Sequence, residues 1–127
     1  MESPAGQYVT LVEVLELIGS FEEFAAAAES MARRLEAEGI PSLVSVHLYA
    51  EPGSTEAGVV LTFADPGEMM RHIDMIAGWE EFARFVRTVK PIDVRVYGKL
   101  NPEAEAWLRN INIVGKKFEN HVAGFVR

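Results

Sequence analysis

In the stretch LVSVHLYAE, Leu43 to Glu51, Val44, Val46 and Leu48 alternate with Ser45, His47 and Tyr49. A period of two is the signature of a strand with two unlike faces. One face is core. The other lacks the lysines and glutamates of a solvated strand, so it is expected to line a cavity or a subunit interface. Upstream, Tyr8–Ile18 is rich in Val and Leu and predicts a long first strand. Ser20 then precedes Glu23 in a capping-box pattern, and Phe24, Ala28, Met31 and Leu35 follow at helical spacing. Gly39 and Pro41 end that helix. Val44–Ala50 is the second strand and Gly58–Ala64 the third, joined as a hairpin across EPGST.

Asp65-Pro66 with Glu68 predicts a helix start, and Met69, Ile73 and Ile76 mark its buried stripe. Gly78 interrupts it. Trp79, Phe82, Val86 and Val89 continue as a second, bent segment that Pro91 stops. Ile92–Leu100 reads as the fourth strand. Asn101-Pro102 repeats the cap-then-proline signal and opens a short helix through Ala104, Trp107 and Leu108. The tail, His121–Arg127, reads as a last strand. The order is β-α-β-β-α-β followed by α-β. It predicts an α+β, ferredoxin-like antiparallel sheet with helices on one side only.

Strand alternation assigns Val44/Val46/Leu48, Leu61/Phe63 and Val94/Val96 to the helix side. The opposite face then carries Val12, Val14, Val60, Thr62, Tyr8, Tyr49, Tyr97, His47 and Arg95. Aliphatics mixed with phenols, one imidazole and one guanidinium suit an apolar cavity with a few convergent polar groups. They suit a partly wet dimer interface equally well.

Composition narrows the classes. The chain has 127 residues, expected to form one domain over 1–127. Its net charge of −7 disfavours nucleic acid and anionic membrane surfaces as partners. It has no cysteine, hence no disulfide or thiol chemistry. No apolar stretch approaches the ~20 residues of a membrane span. MESPAGQ has no basic region followed by an apolar run, so no signal peptide is expected. The expected location is the cytoplasm.

The segments GVVLTFADPGEMMRHIDMIAGWEEF, IDVRVYGKLNPEAEAWL and HVAGFVR resemble the antibiotic biosynthesis monooxygenase-like proteins of the dimeric α/β-barrel superfamily. The likeness is closest to a subgroup without an assigned reaction. The resemblance implies a homodimer whose two sheets close a barrel, with a pocket in each protomer between sheet and helices. That places the pocket on the helix side, whereas the strand pattern points to the mixed face. It also implies, for some members, cofactor-independent oxygenation of phenol- or quinol-type aromatics. Haem degradation in this superfamily uses an Asn on the first strand and a His after a Trp of the second helix. Here the first strand has no Asn and His72 precedes Trp79, so the resemblance does not extend to haem.

The candidate catalytic residues are His47, His72 and Arg95, with Tyr49, Thr62, Met69, Trp79 and Tyr97 as candidate substrate contacts. An imidazole titrates near neutral pH and suits proton transfer from a phenol. His47 fits an interface histidine too, Arg95 a pair with Asp93, and His72 a boundary residue whose imidazole reaches water. The tyrosines fit a dimer seam. His47, His72 and His121 lack metal-ligand spacing, and there is no Gly-rich phosphate loop. The expectation is therefore no metal and no cofactor. It leaves three functions open: a cofactorless monooxygenase-like enzyme for a small aromatic, a non-catalytic small-molecule binding or sensing module, and a purely structural dimer.

Overall fold

A computed structural model describes residues 7–127. The chain runs β1 (Val9–Leu17), α1 (Phe21–Glu38), β2 (Leu43–Ala50), β3 (Glu56–Phe63), α2 (Met69–Ile76), α3 (Glu80–Val86), β4 (Val89–Tyr97), α4 (Pro102–Ile111) and β5 (Val114–Phe118). The sheet order is β2-β3-β1-β4-β5. The first four strands pair antiparallel, and β5 joins parallel to β4. This is the expected ferredoxin-like α+β arrangement, with the helices on one side.

The helix starts form as their sequences dictate. The Ser20 hydroxyl accepts the Glu23 amide at 3.0 Å, and the Asn101 side chain accepts that of Ala104 at 2.8 Å. Each satisfies an amide that the first helical turn leaves without a partner. Asp65 accepts the Gly67 amide at 2.9 Å, but there it caps a single 3-10 turn, Pro66–Glu68, that leads into α2. The bend at Gly78 is the break between α2 and α3.

Three sequence expectations fail. The helix does not run to Pro91. It ends at Val86, where the Thr88 hydroxyl bonds the Phe85 carbonyl at 2.7 Å, and β4 begins at Val89. Pro91 lies inside β4 beside a bulge that leaves Ile92 unpaired with β1. A bulge is one of the few places where a strand accepts a residue without an N–H. Second, Val44 does not face the helices. A bulge near the start of β2 shifts the alternation, so Val44 is exposed while Leu43, Val46 and Leu48 pack inward. Third, the last strand is Val114–Phe118, and His121–Arg127 forms none. VGKKF has weak strand propensity. It is held by backbone pairing with β4, and of its side chains only Val114 packs on the core.

The core lies between sheet and helices. Phe63, Met69, Val9 and Val96 are its most buried large side chains. Arg34 of α1 ties the helices together. Its guanidinium meets Glu81 at 2.7 Å and Glu38 at 3.0 Å, and stands 4.3 Å from the centre of the Trp79 ring.

Candidate functional site

A cavity of about 240 Å³ lies between the helix side of the sheet and α1–α4. Leu11, Glu13 and Leu15 of β1 lie along its floor. His72 and Ile76 of α2, Phe82 of α3 and Leu108 of α4 are among the residues that close over them. The wall is apolar but for the titratable side chains Glu13 and His72 and the indole of Trp107.

His72 is 4% exposed, so it does not reach bulk water as a boundary residue would. Its ring meets Phe63 edge-on, with centroids 5.2 Å apart and planes at 71°. Its Nδ1 is buried and has no hydrogen-bond partner among the described residues. Burial in this apolar setting lowers the imidazole from its ordinary 6.5 to about 4. At neutral pH it is therefore uncharged.

Glu13 was not among the sequence candidates. It occupies the helix-facing position between Leu11 and Leu15, opposite Val59 of β3 and Val94 of β4. Among the described residues no side chain pairs with its carboxyl. Burial raises its pKa above the ordinary carboxylate value. The sequence does carry a signal: in Val9-Leu11-Glu13-Leu15 one acid interrupts a hydrophobic i, i+2 row. Phe63, which His72 contacts, lies opposite Val9. Val9 is four strand positions from Glu13, or roughly 13 Å along β1. The two titratable groups thus sit toward opposite ends of the cavity floor.

The other sequence candidates divide between two faces. Met69 joins His72 in the cavity wall. Trp79 is buried but outside that wall, and its ring instead carries Arg34. His47, Tyr49, Thr62, Arg95 and Tyr97 lie on the sheet face turned away from the helices. There the pairing lines up His47, Val60, Val12 and Arg95 in one row across four strands. Three strand spacings separate His47 from Arg95, about 14 Å. Arg95 pairs with Asp93 at 3.1 Å, and this carboxylate raises the guanidinium pKa further. The His47 and Tyr49 rings stack at 6.2 Å, and Tyr97 stacks on Phe118 at 5.1 Å. Thr62 shares a hydrogen bond with Thr10 at 3.1 Å. The cavity is therefore on the helix side, and the mixed face is an open surface carrying its own polar pairs.

No family model matches this sequence, and neither does any curated protein. Solved structures do match the fold. MupZ from Pseudomonas fluorescens superposes with a TM-score of 0.70 at 15% identity, covering 95% of each chain. A variant of SnoaB, a cofactor-independent oxygenase from Streptomyces nogalater, gives 0.60 at 14% identity, over 75% of this chain and 95% of that one. The protein YJCS gives 0.57 at 9% identity, over 74% and 99%. The chain thus shares its fold with these solved structures. Among the described residues no helix is long and apolar enough to cross a membrane.

Proposed function

We propose that this chain is a homodimeric, cofactor-independent monooxygenase-like protein that takes a small phenol- or quinol-type aromatic into the cavity on the helix side. The observation that carries the reading is the apolar cavity of about 240 Å³ with the unpartnered Nδ1 of His72 in its wall. An apolar space with few polar groups suits a ring bearing a hydroxyl. The chemistry needs no outside reductant. A phenol and O2 yield a para-quinone and water: the para C–H becomes C=O with one oxygen atom, the other leaves as water, and the ring supplies all four electrons that O2 takes up. The protein's share is to desolvate the phenol, orient it and receive its proton.

His72 is suited to orientation. Near pKa 4 it is a weak base. A phenol of pKa about 10 lies roughly six units away, about 8 kcal/mol uphill for complete transfer. It therefore serves as a hydrogen-bonding group. We assign His47, Tyr49, Thr62, Arg95 and Tyr97 to the seam with a second copy. The exposed apolar groups Val44, Tyr49, Phe118, Val122 and Phe125 support such a partner.

Oxygen consumption across a panel of phenols and quinols tests the proposal. Turnover should fall at least tenfold in His72→Ala and stay within about twofold in His47→Ala and Arg95→Ala. Equal rates in all three variants would remove His72 from the site. A ligand that raises the melting temperature without oxygen uptake would leave a binding module in its place.

A further inference from the structure

Among the described residues Glu13 has no partner that accounts for it. It sits on the central strand, on the side facing the helices, where its neighbours along the strand face are Leu11 and Leu15. Hydrophobic clusters pack around those two leucines. Glu13 is half-buried, and a carboxylate drawn partly out of water loses solvation unless something pairs with it. A leucine there would continue the row and bury apolar surface instead. A polar side chain kept in such a position, aimed into a cavity, is where a ligand group belongs.

Resting on the cavity reading above, we propose that Glu13 is a ligand-facing residue that accepts a hydrogen bond from a hydroxyl of the bound molecule, and that this molecule is a one- or two-ring hydroxyarene. The size follows from the volume. A cavity of roughly 150 Å³ holds one benzene ring, so about 240 Å³ takes one ring or two fused rings and leaves no room for three or four. The orientation follows from the separation. With Glu13 and His72 toward opposite ends of the floor, the hydroxyl lies at the Glu13 end and the far ring edge reaches toward His72 and Phe63. Of the two titratable groups, Glu13 is also the one whose burial moves its pKa toward that of a phenol. It is the better placed to receive the phenolic proton.

The test is equilibrium binding, measured by calorimetry on the whole chain, with 2-naphthol, 2-methoxynaphthalene and a three-ring phenol. Wild type should bind 2-naphthol roughly tenfold to hundredfold more tightly than the methoxy analogue, which has no hydroxyl to donate. Glu13→Leu should bind both about equally, and should melt at a higher temperature than wild type. The three-ring phenol should bind neither protein. Equal binding of naphthol and its methyl ether to wild type, or a retained preference in Glu13→Leu, overturns the role of Glu13 while the cavity reading stands. Tight binding of the three-ring phenol overturns the size limit. No arene binding to wild type at all overturns both the inference and the reading on which it rests. A Glu13→Leu protein less stable than wild type would show that the acid holds the fold together instead.

Discussion

His72 stands edge-on to Phe63, ring centroids 5.2 Å apart, with one imidazole nitrogen sealed from water and unpaired. Protonating that ring places a charge against an apolar wall. Its folded pKa, about 4, lies below the ordinary 6.5, so the unfolded chain binds the proton more readily. Stability is full above pH 6.5, falls as pH drops toward 4, and loses about 3 kcal/mol over that window. Urea unfolding at pH 4.5 and pH 7.5 measures it, and His72→Leu should flatten this part of the profile.

Glu13 runs the other way. Its folded pKa is raised by burial. Its contribution is therefore present below about pH 4.5 and lost as pH rises through the folded value. In Glu13→Leu this loss disappears, so the variant gains on wild type as the pH is raised from 4.5 to 7.5. The pH-dependent part of the gain, followed by melting temperature, should vanish at pH 4, leaving only what the leucine's apolar burial adds.

Arg34 holds α1 against α3 through Glu81, while Trp79 lies under its guanidinium. Arg34→Ala should lower the melting temperature. Arg34→Lys should recover only part of it, because an ammonium cannot serve two carboxylates and a ring with one planar group. A double-mutant cycle with Glu81→Gln should be non-additive, and the coupling should shrink in high salt.

Gly98 ends β4 with φ at +118°, and a Cβ there would stand 2.6 Å from the Tyr8 carbonyl oxygen. Gly98→Ala should cost about 1–3 kcal/mol in chemical denaturation. The same substitution at Gly78, where a Cβ meets nothing within 4 Å, should be far milder.

Val12 lies in the middle of the open face, between Val60 and Arg95. If that face carries the seam, the chain should sediment as a dimer and Val12→Asp should shift it toward monomer. Wild type sedimenting as a monomer would remove the seam assignment.

Local patterns carried most of the architecture. Ser20 and Asn101 cap helices because each sits just before an amphipathic run, and both features are contiguous in sequence. The faces of β1 and β3 followed from simple alternation. The errors fell where alternation is broken by an extra residue. Nothing in LVSVHLYAE announces a bulge that turns Val44 outward, and Pro91 reads as a helix stop although it sits beside a bulge in β4. VGKKF does not read as a strand, because its strand exists through backbone pairing with β4.

The candidate site was legible only in part. His72 and Met69 were visible from their place beside a helical stripe. His47 and Arg95 were equally visible, yet they lie on the other side of the sheet and about 14 Å from each other.

The sequence by itself determined the order of the elements, the ferredoxin-like class and a sheet with one face left uncovered by helices. These are set by periodicity and turn chemistry, which act over a few residues. Only the tertiary structure decided which face holds the cavity and that Glu13 and His72 share its wall. Those two residues are far apart in the chain, and a void is the space that packed elements leave between them, so no single segment encodes it.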